Sequence, residues 1–258
     1  LALGFINTAV CLIVGFCLAY LTTRGPLYLR RPLKFISMMP LIAPPYLFAI
    51  SLIILFGHNG IMTKAFGIKW SLYGFTGVVV AQTLAFIPLA YLMIENTLRS
   101  LNPNLEESAY DLGASEVRII RTITIPLLAP GLLKAGLLVF VMTIAEFGNA
   151  AILGGRTPFL APDTYTMIVG EGDFEMGSVL SVILIIPCII IFFLHNYILT
   201  GKKFTTIGGK PVASEPRKIT PFVQIPFLMI SCAAGLAIVI CFGVVLMASF
   251  TKILGVNN

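Results

Sequence analysis

Six long apolar stretches constrain the fold of this chain more than any other feature. They run roughly over residues 1–21, 35–56, 73–94, 131–153, 177–199 and 222–247. A helix needs about 20 mostly apolar residues to cross a hydrocarbon layer of about 30 Å. The strands of a membrane β-barrel would be about ten residues long and would alternate in polarity. We therefore predict an all-α, polytopic transmembrane helical bundle with about six membrane helices.

The composition excludes a water-soluble globule. Of the 258 residues, 58% are hydrophobic and only 11% are charged, which is more apolar surface than a globule of this size can bury. The five cysteines all fall within apolar segments. Because they lack CxxC spacing and neighbouring histidines, we interpret them as packed, reduced thiols and expect no metal site and no cofactor on this chain.

The basic residues predict an orientation. Thirteen Lys and Arg residues fall in one set of connecting segments and four fall in the other set. Cytoplasmic loops carry the excess of Lys and Arg in membrane proteins. We therefore expect Leu1 outside and the loop near residues 95–130 inside. The net charge of +6 then reflects topology and gives no indication of nucleic-acid binding.

Three prolines interrupt the second apolar stretch. Pro40, Pro44 and Pro45 each lack a backbone N–H, and a proline ring clashes with the preceding helical turn. We therefore predict a bend in this segment.

The loop near residues 95–130 carries the signals of two short helices. Asn102 is a good N-cap with Pro103 at the first helical position, and the acidic residues that follow favour the positive end of the helix dipole. Gly113 is placed to end this helix in a left-handed conformation. Ser115 can cap a second helix, which we expect Pro126 to stop. The sequence thus predicts a helix-turn-helix elbow with a polar outer surface.

The spacing within this elbow resembles the cytoplasmic EAA loop of ABC-importer permeases. The family pattern is Glu-Ala-Ala, three variable residues, Gly, nine variable residues and then Ile-x-Leu-Pro. The residues that match it by position are Glu107, Ser108, Ala109, Gly113, Ile123 and Pro126. Ser108 replaces the first Ala and Ile125 replaces Leu, so the departures are small for small and apolar for apolar.

The resemblance implies that the elbow is a coupling element, which docks on an ATP-hydrolysing subunit and moves with it. It implies as partners a cytoplasmic ABC ATPase subunit dimer, a second permease half, an extracytoplasmic substrate-binding protein and the lipid bilayer. The chain itself is expected not to be an enzyme. The segment Gly208-Gly209-Lys210 lacks the earlier glycine and the Ser or Thr of a phosphate loop, so ATP and Mg are expected on the partner ATPase.

From Thr200 to Thr220 the composition changes to Lys, Gly, Pro, Ser and Glu, and one more apolar segment and the sequence Ser249-Phe250-Thr251-Lys252 follow. In this arrangement nearly the whole chain is similar to fused iron(III)-type permeases, in which two homologous halves share one polypeptide. The resemblance implies a multi-pass protein of a bacterial inner membrane. We predict a first half at 1–205, a cytoplasmic linker at 206–221, and the first transmembrane helix of a truncated second half at 222–258. The expected function is solute import by alternating access, with iron(III) as the first cargo hypothesis. Polyamine, thiamine, phosphonate and sulfate are alternative cargoes. An ATP-independent transporter or a membrane-embedded enzyme is the alternative class.

Polar residues within the apolar segments are candidates for a translocation path. Glu146 should face the bundle interior or stay protonated, because exposing its charge to lipid costs about 2 to 4 kcal/mol. Thr143, Glu146, Asn149 and Ala150 recur at three- and four-residue spacing, which predicts one shared helical face. That face either lines the path or forms interhelical hydrogen bonds, and the same alternatives apply to Gln82.

Overall fold

A computed structural model of the protein describes residues 1–67, 72–201 and 219–250. Its α-helices are α1 (Ala2–Arg24), α2 (Leu27–Met38), α3 (Leu47–Phe56), α4 (Ile61–Phe66), α5 (Phe75–Ser100), α6 (Asn104–Asp111), α7 (Glu116–Ile119), α8 (Ile125–Ala145), α9 (Gly148–Leu153), α10 (Leu160–Tyr165), α11 (Phe174–Gly201) and α12 (Pro221–Phe250). A 3-10 turn covers Met39–Ile42, and π-helical segments cover Ile120–Thr124 and Thr166–Glu171. These described residues contain no β-strand.

Six of the described helical segments are long and apolar enough to cross a membrane. They are Ala2–Arg24, Leu47–Phe66, Phe75–Ser100, Glu116–Ala145, Phe174–Leu194 and Pro221–Phe250. The prediction of an all-α bundle with about six membrane helices is confirmed. Most of the predicted linker at 206–221, the glycine-rich segment at 208–210 and the residues after 250 lie outside the described part of the chain.

Two of the predicted spans have the wrong boundaries. The second was predicted at 35–56, but α2 ends at Met38 and the span begins at Leu47. The prolines explain the difference, because the bend they impose separates an entry helix from the spanning segment. The fourth was predicted at 131–153, but its helix extends from the elbow at Glu116 and ends at Ala145. This helix therefore begins before the apolar stretch from which its span was predicted.

Helix α5 is the centre of the bundle, with α1 and α8 packed along it. A small residue permits the close approach of α1 to α5, since a Cβ added at Gly15 would lie 2.9 Å from the Cβ of Ala90. Helix α12 packs on the outside of α1, α2 and α3. The hydroxyl of Ser51 on α3 donates to the backbone oxygen of Cys241 on α12, at 3.1 Å.

The bundle has two distinct ends. At one end, Arg24 lies beside Glu106 of the elbow. At the other, Leu1, Phe75 and Pro158 line a common cavity. Leu1 and the elbow therefore lie at opposite ends of α1, and the inside and outside assignment of these ends stays a prediction.

Candidate functional site

The elbow consists of α6 and α7 joined by a tight turn. Gly113 has φ +84°, so the predicted left-handed conformation is confirmed. Helix α6 begins at Asn104, slightly later than predicted, and Pro103 takes the N-cap position. Asn102 still acts at this helix start, because its Oδ1 accepts a hydrogen bond from the Asn104 amide at 3.0 Å.

The prediction that Pro126 ends the second elbow helix is wrong. Helix α7 continues through the π-helical segment Ile120–Thr124 into α8, and Pro126 lies in the first turn of α8. The π-helical segment just before Pro126 shifts the backbone hydrogen-bond pattern, and the helix there accommodates a residue that has no N–H. Ser115 takes the predicted N-cap position, but the structure shows no hydrogen bond from its side chain to the first turn of α7 within the part it describes. The elbow is therefore continuous with a membrane-spanning helix.

The outer surface of the elbow is not purely polar, which corrects the sequence prediction. Leu112, beside the turn, is 88% exposed, and Leu105, Tyr110 and Val117 are also exposed. An exposed group of large apolar side chains at a helical turn is a typical protein-docking surface. These apolar residues are visible in the sequence, but the prediction of a polar surface considered only the charged residues beside them.

Two buried carboxylates fix the elbow to α1. On α6, Glu106 is 6% exposed and its Oε2 lies 2.8 Å from Nε of Arg24. Its Oε1 accepts a hydrogen bond from the hydroxyl of Thr124 at 2.8 Å. On α7, Glu116 is 3% exposed and accepts a hydrogen bond from the Tyr20 hydroxyl at 2.7 Å. The sequence reasoning missed these contacts because it interpreted Glu106 only through the helix dipole and did not consider Glu116.

A third buried carboxylate lies at the same end of the bundle. Glu95 on α5 is 1% exposed, and its Oε1 lies 3.2 Å from Nζ of Lys34 and 2.8 Å from Nη2 of Arg99. Burial, followed by the neighbouring charges of Arg99 and Arg24, lowers the pKa of the Arg30 guanidinium. This end is therefore rich in cations and partly neutralised by buried acids. The sequence analysis also missed Glu95, whose position just beyond the predicted third span was the available signal.

The structure brings the four candidate path residues together. Gln82 Nε2 donates to Glu146 Oε2 at 3.0 Å and to the backbone oxygen of Thr143 at 3.4 Å. The Asn149 backbone amide lies 3.0 Å from both carboxylate oxygens of Glu146. Gln82, Thr143 and Asn149 are buried, whereas Glu146 is partly exposed. A polar cluster thus lies within the bundle, between α5, α8 and α9.

One continuous helical face was predicted for Thr143, Glu146, Asn149 and Ala150, and this prediction is wrong. Helix α8 ends at Ala145, and Glu146 has an extended backbone with φ −74° and ψ 120°. Asn149 lies on the separate helix α9. Because of this break, the carboxylate of Glu146 reaches the first turn of α9, which follows it in the chain. A negative charge is stabilised there by unpaired N–H groups.

Asn7 extends the cluster onto α1 and was missed by the sequence reasoning. Its Nδ2 donates to the Thr143 hydroxyl at 2.7 Å, and its Oδ1 accepts from the Thr83 hydroxyl at 2.6 Å. The available signal was an amide within an apolar stretch, since such groups need a partner in lipid. In the structure Asn7 is fully buried. Asn7 therefore ties α1, α5 and α8 together through polar contacts.

A cavity of about 180 Å³ opens beside the polar cluster at the end of the bundle that holds Leu1. Thr143, Glu146 and Ala150 form part of its wall. Behind them, both side-chain polar atoms of Asn149 and Oε1 of Gln82 are buried and have no partner among the residues described. Buried polar atoms are rarely left unpaired, so this region can bind water or a polar solute.

Comparison with known proteins places the fold and then the family. A chain of the structure described as "Inward facing conformations of the MetNI methionine ABC transporter" matches with a TM-score of 0.60 and 21% identity, over 78% of this chain and 91% of that chain. The fold is therefore that of an ABC-importer membrane component. The sequence model of the family "Binding-protein-dependent transport system inner membrane component" matches residues 12–204, and the chain belongs to this family of multi-pass inner-membrane proteins.

Two curated relatives are similar in sequence but differ in named cargo. The ferric transport system permease protein FbpB of Actinobacillus pleuropneumoniae is 32% identical over 80% of this chain and 31% of its own length. The molybdenum transport system permease protein ModB of Mycobacterium bovis is 27% identical over 72% of each chain. The chain thus spans about a third of the length of the ferric relative.

Proposed function

We propose that this chain forms part of the transmembrane permease subunit of an ATP-binding-cassette importer. A separate ATPase subunit drives alternating access, and the solute moves into the cytoplasm. The observation that carries the proposal is the elbow, in which the EAA-like spacing coincides with a left-handed turn at Gly113 and an exposed apolar side chain at Leu112. Neither an ATP-independent transporter nor a membrane-embedded enzyme requires such a surface.

The elbow has the mechanical properties that coupling needs. Its two arms are each fixed to α1 by a buried carboxylate, Glu106 on α6 and Glu116 on α7. A rigidly attached element transmits a displacement, whereas a flexible loop would absorb it. We assign the coupling role to the residues that match the family pattern, which are Glu107, Ser108, Ala109, Gly113, Ile123 and Pro126.

Three protein partners follow from this function. A cytoplasmic ABC ATPase dimer, with its ATP and Mg, docks on the elbow surface around Leu112. A second permease half packs against the first. Helix α11 offers a surface for it, since only 6% of its most apolar 18-residue stretch is buried. An extracytoplasmic substrate-binding protein delivers the solute at the opposite end, where Glu171, Asp173 and Glu175 are exposed.

The polar cluster is the proposed translocation path. Gln82, Thr143, Glu146 and Asn149 are brought together beside the outer cavity, and Glu146 is accessible from it. A partly exposed carboxylate attracts cations and repels anions. This charge supports iron(III) as the cargo, in agreement with the name of the ferric relative. Polyamines and thiamine are cationic alternatives, while phosphonate, sulfate and the molybdenum of the second relative are further alternatives.

Co-purification of an ATPase tests the proposed class. The complete transporter is purified in mild detergent through a tag on the permease, in the parent form and with Leu112→Ser, Glu107→Gln or Gly113→Val. We expect the ATPase to co-purify with the parent and to be reduced in the three variants. Phe66→Ser is the matched control, because Phe66 is 72% exposed and lies outside the elbow. Failure to recover any ATPase with the parent protein would overturn the importer assignment.

A further inference from the structure

Glu116 contacts two chain segments that are distant from it in sequence. Its Oε1 accepts a hydrogen bond from the Tyr20 hydroxyl on α1 at 2.7 Å. Its Oε2 accepts one from the backbone amide of Thr220 at 3.1 Å, across a separation of 104 residues. Thr220 immediately precedes α12, which begins at Pro221. One carboxylate of the elbow therefore bonds both α1 and the amino-terminal end of α12.

The end of α12 is packed at this point as well as hydrogen-bonded. Ile219 and Val223 are each 5% exposed. The ring of Phe227 lies one turn further along α12, at 5.5 Å from the ring of Tyr20 and 5.8 Å from that of Phe16. The Glu116 contact is thus the polar edge of an apolar interface between α1 and α12.

The negative charge of the Glu116 carboxylate strengthens its contact with the start of α12. The first N–H groups of a helix lack intrahelical partners, and the helix dipole is positive at this end, so a carboxylate is stabilised there. Hydrogen bonds to an ionised acceptor are shorter and stronger than those between neutral groups. A carboxylate that is 3% exposed and accepts two such bonds fixes the positions of both donors relative to α7.

We propose that Glu116 is a positioning residue that holds the start of α12 to the elbow, so that α12 moves with the elbow as one body. The source of the movement rests on the proposed function, in which an ATPase displaces the elbow. Under the predicted domain organisation α12 opens the second permease half. The contact then connects the coupling element of one half to the leading helix of the other.

Distance measurements between spin labels test this connection. Labels are placed at Arg118 on α7 and Phe222 on α12, which are both exposed, with the accessible Cys188 and Cys232 replaced by serine. Distances are recorded by pulsed electron resonance in the complete transporter, without nucleotide and with a non-hydrolysable ATP analogue. We expect one narrow distribution that is unchanged between the two states.

Two variants break the contact in different ways. Glu116→Gln removes the charge and leaves one acceptor oxygen for the two donors, and Thr220→Pro removes the backbone donor of residue 220 while the carboxylate stays. Both should broaden the distribution and make it differ between the two nucleotide states. Asp111→Asn is the control, because Asp111 is an exposed carboxylate on the other arm of the elbow and should leave the distribution narrow.

The outcomes separate this proposal from the proposed function. A distribution that stays narrow in both Glu116→Gln and Thr220→Pro would overturn the positioning role, even where the ATPase binds and transport is driven. A parent distribution that changes with nucleotide would also overturn it. Broadening in the nucleotide-free variants supports the contact independently of the ATPase, whereas the absence of any ATPase would contradict only the importer assignment.

Discussion

Arg24 at the end of α1 and Glu106 in the first turn of α6 form an ion pair, with Nε and Oε2 separated by 2.8 Å. The two residues are 82 positions apart in the sequence. Their side chains are 16% and 9% exposed, so water screens the pair little. The elbow follows α5 in the chain but is fixed to α1 in space. Force applied to the elbow is therefore transmitted to α1 as well as to the helices that precede and follow it.

Replacing Arg24 by Gln should destabilise the protein. The change leaves the carboxylate of Glu106 buried without its cation, and removal of one partner from a buried pair costs about 3 kcal/mol or more. We expect a lower midpoint of thermal unfolding in detergent. The exposed Arg118 on the same elbow provides the control, since Arg118→Gln should leave the midpoint unchanged. Equal midpoints for both variants would show that the ion pair does not contribute.

Gly113→Val should uncouple transport from ATP hydrolysis while the protein remains inserted. Space does not prevent the substitution, because no atom of the described residues lies within 4 Å of an added Cβ. The cost comes from the backbone, since a left-handed conformation costs an L-residue about 1 to 2 kcal/mol and more for a β-branched one. The measurement is solute taken up per ATP hydrolysed in proteoliposomes.

A second glycine with a left-handed backbone separates the effect of the elbow position from the effect of backbone strain. Gly172 has φ +70° and equally open surroundings, but lies at the end of the bundle opposite the elbow. Gly172→Val should impose similar strain and leave coupling intact. Gly113→Asn should recover much of the coupling, because Asn tolerates the left-handed region. Full coupling in Gly113→Val would contradict the role of the turn.

Glu146→Gln should lower uptake far more than it lowers membrane insertion. Glutamine keeps an oxygen to accept from the Asn149 amide and fills similar volume, so the local structure should persist. It removes the charge that faces the outer cavity. We expect reduced uptake of a cationic solute such as iron(III), measured as labelled solute in proteoliposomes. Glu171→Gln, an exposed carboxylate at the same end, is the control. Unchanged uptake would leave Glu146 with only a packing role.

Asn7→Ala should reduce stability without affecting the elbow. It removes two buried hydrogen bonds and leaves the hydroxyls of Thr83 and Thr143 without these partners. Hydrogen bonds between membrane helices contribute modestly, so we expect a loss of about 1 to 2 kcal/mol in thermal unfolding. Thr8→Ala is the adjacent control, because the buried Thr8 hydroxyl has no partner among the described residues. A smaller loss of stability in Asn7→Ala than in Thr8→Ala would contradict the role of Asn7 in holding α1, α5 and α8 together.

Local features of the sequence predicted the membrane bundle well. A membrane helix satisfies its own backbone hydrogen bonds, so its presence depends mainly on a continuous apolar run. The left-handed turn was also predictable from local sequence. Gly113 lies between two helical segments and has the backbone freedom that the turn requires. The ends of the helices were less predictable. The break after Ala145 depends on how α9 packs, and the bend near Met38 shifted a predicted span.

The sequence by itself determined the number of the membrane helices and the position of the elbow, because hydropathy and turn chemistry act over a few residues. Only the tertiary structure decided which buried polar groups meet. Glu106 pairs with Arg24, Glu116 with Tyr20 and Thr220, and Asn7 with Thr143 across 136 residues. These partners are set by the packing of α1 against α5, α8 and α12, and a buried carboxylate or amide has the same local sequence signature whether its partner is near or distant.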